Sequence, residues 1–102
     1  MLYAFVLTDK PASAALRVRV RPEHKDYLAQ VADRIAFAGP LLDDDGHAMI
    51  GSLLVIDFRD RAAALAWLQQ EPFTSAGLYA TTKVHAFRNL WPQRAGFADP
   101  AT

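Results

Sequence analysis

The chain alternates between apolar runs and polar, turn-forming segments, and this order predicts four β-strands. Leucine, valine, isoleucine and aromatic residues are frequent in the runs, whereas Asp, Gly and Pro stand near their ends. Asp43–Gly46 has the composition of a hairpin turn, so the second and third strands should be adjacent. The predicted strands are Leu2–Leu7, Arg34–Leu41, Met49–Phe58 and Ala80–Arg88.

Helices are predicted between these strands from capping residues and prolines. Asp60 is a good N-cap for an alanine-rich helix, and Pro72 ends that helix. Pro22 predicts the start of another helix, because proline is favoured at the first helical position, where its missing N–H has no partner. The predicted helical segments are Pro11–Val18, Pro22 to about Ala32, Arg61–Gln70 and Pro72–Ala76.

The resulting order, β-α-β-β-α-β, predicts an α+β, ferredoxin-like fold with a four-stranded antiparallel sheet and both helices on one face. Residues 2–7 and 53–56 are apolar at consecutive positions, whereas a sheet with one solvated face alternates apolar and polar residues. Both faces of the sheet should therefore be covered. The second cover is predicted to be the sheet of an identical chain, which makes the protein a homodimer, as a dimeric α+β barrel.

Length and composition limit the classes of protein that remain. The 102 residues predict one domain, residues 1–91, followed by a polar tail, residues 92–102. Eleven basic and eleven acidic residues balance, so neither nucleic acid nor an anionic membrane is predicted as a partner. The chain has no cysteine, which excludes disulfides and thiolate chemistry and fits a cytoplasmic location. The apolar start, residues 1–7, is too short for a membrane span and lacks the basic leader of a signal peptide.

No metal and no cofactor are predicted. His47 and His85 are far along the chain from any ligand at a metal-binding spacing, and both are predicted at the surface. The three aspartates 43–45 lack the alternating pattern and distal glutamate of a calcium loop, so a solvated hairpin is favoured. The chain also contains no glycine-rich phosphate loop and no dinucleotide fingerprint.

His24 is the most informative candidate for chemistry. It begins an apolar stripe, continued by Leu28 and Val31, at the spacing that places side chains on one face of a helix. If the helix begins at Pro22, His24 lies in its first turn, where the positive end of the helix dipole favours a neutral imidazole. Such a histidine suits a general base, but a packed core histidine with a satisfied hydrogen bond has the same pattern.

Several short motifs follow one another along the chain. They are Arg21-Pro22-Glu23-His24, Ala38-Gly39-Pro40-Leu41, the Asp-rich turn ending in Gly46, Gly51-Ser52, and Glu71-Pro72-Phe73 followed by Gly77-Leu78-Tyr79. No single motif is specific, but the ordered set is considerably more so, and over roughly residues 1–87 it resembles the YciI-like (YCII-related) family. The resemblance implies a dimeric ferredoxin-like α+β barrel, related in architecture to muconolactone isomerases, with a cleft that holds a histidine paired with an acidic residue.

The family histidine corresponds to His24, and its acidic partner corresponds to Glu71. Family members usually carry aspartate there, in an Asp-Pro-Phe or Asp-Pro-Tyr motif, so the side chain here is one methylene longer. Family members with a known role include enzymes that eliminate chloride from chlorinated aromatic intermediates. The alternative for Glu71 is a plain N-cap before Pro72.

Two functions remain open from the sequence. The first is a small cofactor-independent lyase, isomerase or dehalogenase, in which His24 and Glu71 transfer a proton on a small oxygenated, cyclic or chlorinated substrate. Arg17 and Arg21 are then predicted to bind a substrate carboxylate. The second is a non-catalytic dimer that binds a small ligand or a protein, with His24 kept for packing. Ser52 lacks a nucleophile motif and is predicted to pack against the backbone.

Overall fold

A computed structural model describes residues 1–92, so the predicted tail lies outside the described residues apart from Pro92. Eight elements follow one another along the chain. They are β1 (Leu2–Asp9), α1 (Ala14–Ala29), a 3-10 turn (Ala32–Arg34), β2 (Ile35–Leu42), β3 (Met49–Asp57), α2 (Arg61–Gln70), α3 (Pro72–Ser75) and β4 (Tyr79–Phe87).

The four strands form one antiparallel sheet in the order β2-β3-β1-β4. On its helix-covered face, Phe5 of β1 lies opposite Leu54 of β3 and Val84 of β4, and all three are buried. Apolar side chains of α1 and α2 pack against this row, which forms the core. The predicted ferredoxin-like α+β fold is confirmed.

The first long helix differs from the prediction. One continuous helix, α1, replaces the two predicted segments, and Pro22 lies inside it rather than at its start. His24 is therefore in the second half of α1, outside the first turn where the helix dipole acts. The helix dipole therefore does not act on His24, and that part of the prediction is wrong.

The helix continues through Pro22 because the residues on either side of it are anchored in the interior. Arg17 and His24 are the two buried residues of α1, and their spacing of seven places them on the same face. Pro22 itself is exposed, so its ring points away from the core. Tertiary contacts thus outweigh the local preference of proline for a helix start, which propensity alone does not reveal.

Other local signals agree with the structure. The Asp60 side chain accepts a hydrogen bond from the N–H of Ala63 at 2.8 Å, and α2 begins and ends where predicted. In the hairpin between β2 and β3, Asp43 accepts hydrogen bonds from the backbone N–H groups of His47 and Ala48. Gly46 has a φ of 79°, the left-handed conformation that favours glycine in tight turns. No helix in residues 1–92 is long and apolar enough to cross a membrane.

Replacement of Pro22 distinguishes an internal proline from one at a helix start. Pro22→Ala restores an N–H that can donate to the carbonyl of Val18 and removes the clash of the ring with that carbonyl. We expect the free energy of unfolding to rise by about 1–3 kcal/mol. Thermal and urea unfolding would measure the change, with Glu23→Ala, at the next exposed position, as the matched control. An unchanged or lowered stability would contradict the internal placement.

Candidate active site

The buried face of α1 is polar at two positions. Arg17 and His24 are 3% and 8% exposed, although neither is a residue type that is commonly sealed in a core. Buried polar groups require hydrogen-bond partners, and a buried charge also requires an opposite charge. The packing of α1 on the sheet therefore depends on what these two side chains contact.

His24 contacts Glu71, the residue between α2 and α3. The Nδ1–H of His24 donates a hydrogen bond to Oε1 of Glu71, whose side chain is fully buried. The second carboxylate oxygen, Oε2, accepts from the backbone N–H of Thr74 at 3.3 Å. Glu71 is thus both the partner of His24 and the N-cap of α3, and its two oxygens divide these tasks.

Phe73 packs against one face of the imidazole. Its ring stacks on the His24 ring, with centroids 4.1 Å apart and planes inclined by 19°. The guanidinium carbon of Arg17 lies 4.6 Å from the centroid of the same Phe73 ring. Because Phe73 is fully buried, its ring limits how far either polar side chain can rotate.

Arg17 forms a buried ion pair with Asp9 at the end of β1. Its Nε donates to Oδ2 at 2.7 Å and its Nη2 donates to Oδ1 at 2.9 Å, in the two-pronged geometry that arginine favours. Burial alone would lower the pKa of Arg17, but the hydrogen bond and negative charge of Asp9 raise it. Nη2 also donates to Oγ of Ser52 at 3.1 Å.

Ser52 connects this ion pair to Tyr79. The phenol O–H of Tyr79 donates to Oγ of Ser52 at 3.3 Å. Burial, followed by the negative charge of Glu71, raises the pKa of Tyr79. The phenol therefore stays protonated and keeps its donor role throughout the physiological pH range.

A cavity of about 210 Å³ opens beside His24, between α1, β2 and β3. Nε2 of His24 has no hydrogen-bond partner among the described residues. The atom is not sealed in the interior either, since it is not one of the fully buried polar atoms without a partner. Because Nδ1 is bonded to Glu71, Nε2 is the nitrogen left for the cavity. The walls that complete the cavity come from Arg17, Arg21, Lys25, Leu28, Ala38, Gly39, Pro40, Ser52 and Leu54.

A larger cavity of about 630 Å³ lies next to the first, between α1 and the β2–β3 hairpin. Arg17, Arg21 and Lys25 border both cavities, so the two adjoin along one side of the helix. Within residues 1–92, neither Arg21 nor Lys25 forms an ion pair, whereas Arg17 is paired with Asp9. The basic residues thus mark the boundary of the two spaces.

The structure brings four sequence-predicted candidates together: His24, Glu71, Arg17 and Arg21 all lie at or next to the smaller cavity. It does not bring His85 there; that side chain is exposed on β4. His47 is exposed and borders the larger of these two cavities but not the smaller. No group of three or more His, Cys, Asp or Glu side chains within the described part of the chain is placed to hold a metal ion.

Asp9, Phe73 and Tyr79 are parts of this site that the sequence did not indicate. Asp9 follows the predicted first strand, and no motif relates it to Arg17. Phe73 was quoted in a motif without a role, although its neighbour Glu71 was a candidate. The available signal was the nearness of Asp9 along the chain to Arg17 in the predicted helical segment Pro11–Val18, since an arginine that becomes buried needs a carboxylate nearby.

The fold and the site define a class: a ferredoxin-like α+β domain with a buried histidine–carboxylate pair beside a small cavity. The chain belongs to the YCII-related domain family, whose model matches residues 1–88. The resemblance seen in the sequence is thereby confirmed. Relatives identified by sequence comparison agree with this family assignment. Protein YciI of Escherichia coli O6:H1 is 34% identical over 98 residues, which cover 89% of this chain and 100% of the relative.

Two further relatives extend the comparison. An uncharacterized protein of Haemophilus influenzae is 31% identical over 98 residues, with the same coverage of both chains. Among solved structures, 5-chloro-2-hydroxyhydroquinone dehydrochlorinase (TftG) from Burkholderia phenoliruptrix AC1100 superposes with a TM-score of 0.81 at 29% identity. The match covers 86% of this chain and 94% of that one, whose structure is a complex with 2,5-dihydroxybenzoquinone.

The buried ion pair should matter more for stability than an exposed one. Asp9→Asn removes the charge that neutralises Arg17 in the interior, so we expect a loss of about 3 kcal/mol in the free energy of unfolding. Asp57→Asn breaks the pair of that carboxylate with the N-terminal amine, where both groups are more than half exposed, and should cost under about 1 kcal/mol. Urea unfolding measures both; equal losses would contradict the assignment of Asp9.

Proposed function

We propose that this protein is a small, cofactor-independent enzyme that transfers a proton on an oxygenated ring substrate, with His24 as the base and later the acid. The observation that carries the proposal is the orientation of His24: Nδ1 is held by buried Glu71, and Nε2 is left for the cavity. A second support is the neighbour of similar structure, which is a dehydrochlorinase with a ring compound bound.

Glu71 selects the tautomer of His24, that is, which ring nitrogen carries the proton. A carboxylate that accepts from Nδ1–H leaves the lone pair on Nε2, the form in which a histidine removes a proton. When Nε2 has taken that proton, the negative charge of Glu71 stabilises the imidazolium. Because Oε2 is fixed by the N–H of Thr74, the carboxylate is oriented before the substrate arrives.

The reaction is a proton transfer followed by either return of the proton or loss of a leaving group. Nε2 takes a proton from an O–H or an activated C–H group, and the electron pair of that bond stays on the substrate. In an isomerisation the proton returns to another atom of the substrate. In an elimination the electron pair forms a new double bond, and chloride leaves with the electrons of the C–Cl bond.

Arg17 and Arg21 are proposed to bind the charged part of the substrate. Both border the cavity that contains His24. Arg21 has no carboxylate partner in the described part of the chain, so its guanidinium is the freer of the two to contact an anion. Arg17 is held by Asp9 and Ser52 and contributes its positive charge from a fixed position.

The non-catalytic alternative retains one supporting observation. The same contacts that orient His24, its hydrogen bond to Glu71 and its stacking on Phe73, also stabilise the packing of α1 on α3. A binding module would keep these contacts for stability and use the cavity only to hold a ligand. Substitution of His24 separates the two functions.

The protein is further proposed to act as a homodimer, paired through the sheet face that the helices leave open. Val6 and Leu53 lie opposite each other on that face, and Phe37 and Phe87 contact above it with ring centroids 6.3 Å apart. Phe87 remains 38% exposed, so part of this apolar surface still contacts water in one chain. The open face of a second copy is the simplest apolar cover.

A chloride-release assay on 5-chloro-2-hydroxyhydroquinone and related hydroxylated rings tests the role of His24. His24→Gln keeps an N–H that can donate to Glu71 but removes the base, so turnover should fall by about 100-fold or more. Glu23→Gln, at the adjacent exposed position, should leave turnover unchanged. Turnover by His24→Gln at the rate of the unaltered protein would contradict the proposed base, as would the absence of turnover on every ring tested.

Light scattering after size-exclusion chromatography tests the dimer. At micromolar concentration the mass should be twice that of one chain. Phe87→Asp places a charge in the proposed interface, where it would lose its hydration, and should shift the protein to the monomer. Val18→Asp, on an exposed position of α1, is the matched control and should remain dimeric. A monomeric unaltered protein would disprove this mode of association.

A further inference from the structure

Ser52 lies at the centre of the polar groups around the cavity. Its side chain is 2% exposed and is on the helix-covered face of β3, opposite Leu7 of β1. It borders the same cavity as His24. Glycine precedes it for a steric reason, because a Cβ at position 51 would collide with the carbonyl oxygen of Leu7. The close approach of β3 to β1 thus helps to set the position of Ser52.

The hydrogen bonds of Ser52 determine where its proton goes. A serine hydroxyl has one O–H donor and two acceptor lone pairs. Both lone pairs are occupied, one by Nη2 of Arg17 at 3.1 Å and the other by the O–H of Tyr79 at 3.3 Å. The hydroxyl therefore has only its own proton left to offer, and no acceptor for that proton is found among the described residues.

We propose that the Ser52 hydroxyl is a hydrogen-bond donor to an oxyanion that the substrate develops beside His24. The inference deepens the proposed function, on which its catalytic part rests. It gives Ser52 the role of a catalytic residue that stabilises charge, in place of the packing role that the sequence indicates. It also specifies the ligand: a carbonyl, enol or hydroxyquinone whose oxygen carries negative charge after proton removal.

The partners of Ser52 make its hydroxyl a stronger donor. Arg17 brings a positive charge that Asp9 fixes in place, and Tyr79 extends the chain of hydrogen bonds. Donation by both partners into one oxygen draws electron density from its O–H bond, since successive hydrogen bonds polarise one another in a low dielectric. Burial, which raises the pKa of Tyr79, keeps this chain protonated.

The chemical step balances without a further reactant. Nε2 of His24 removes a proton from a carbon next to a carbonyl, and the electron pair of the C–H bond forms a C=C bond. The carbonyl π electrons move onto oxygen, which becomes the oxyanion that Ser52 binds. Either the imidazolium returns the proton to the substrate, or the oxyanion re-forms the C=O bond. In the second case the electron pair of the enolate C=C bond forms a new C=C bond to the carbon next to the deprotonated one, and chloride leaves that carbon with the electrons of the C–Cl bond. One such donor typically contributes about 10²–10³-fold to the rate.

Binding of 2,5-dihydroxybenzoquinone, an acidic hydroxyquinone that carries oxyanions at neutral pH, tests the donor without turnover. Calorimetric titration of Ser52→Ala should give a Kd at least about tenfold weaker than that of the unaltered protein. Ser52→Thr keeps the hydroxyl and should bind within about threefold of it. Ser75→Ala, an exposed serine in α3, is the matched control, and thermal unfolding of each variant checks that it is folded.

Tyr79→Phe examines the chain of donors. It removes one donor to Oγ while leaving the Ser52 hydroxyl, so we expect a smaller loss of affinity than in Ser52→Ala. On a substrate that is turned over, Ser52→Ala should lower kcat about 10²–10³-fold and change KM much less. Tyr79 is a positioning residue, and its variant should lower kcat in the same direction.

The outcomes separate this inference from the proposed function. Equal affinity of Ser52→Ala and the unaltered protein would overturn the donor role, and failure of the unaltered protein to bind would overturn the ligand class. Weakened binding by Ser52→Ala without turnover in any protein would disprove the enzyme but support Ser52 as an oxyanion donor. Loss of turnover in His24→Gln with normal turnover in Ser52→Ala would support the enzyme and disprove the role of Ser52.

Discussion

The interior position of two polar side chains on α1 is the constraint on which the site depends. Arg17 and His24 face the core side of their helix, and each is matched by a carboxylate from another element, Asp9 from β1 and Glu71 from the turn before α3. Without these partners the helix would place an uncompensated charge and an unbonded imidazole in a low dielectric. The same pairings that allow α1 to pack therefore assemble the polar cavity.

Glu71 shows how stability and chemistry share one group. Its Oε2 caps the N-terminus of α3, and its Oε1 orients His24. Glutamate is an unusual N-cap, yet its two carboxylate oxygens contact the imidazole and the backbone of α3 separately. Phe73, two residues further on, stacks on the same imidazole, so one short segment provides both the partner and the support of His24.

Much of the fold could be predicted from sequence because it depends on local signals. Asp60 caps α2, Gly46 turns the hairpin, and the apolar runs mark the strands to within two residues of their observed bounds. The exception was Pro22. Its preference for a helix start is a local effect of limited size, whereas the anchors at Arg17 and His24 are tertiary contacts, and the tertiary contacts prevailed.

The candidate site, like the fold, was predicted from the sequence only in part. The sequence by itself determined the order of the elements, which follows from local periodicity, and the family, which follows from the ordered motifs. The resemblance to that family also indicated two of the residues that meet, His24 and Glu71. Only the tertiary structure decided that Asp9 neutralises Arg17 and that Arg17 and Tyr79 both donate to Ser52. The physical reason is that hydrogen bonds act over about 3 Å between groups far apart along the chain, and the packing of α1 on the sheet sets which of these groups come within reach.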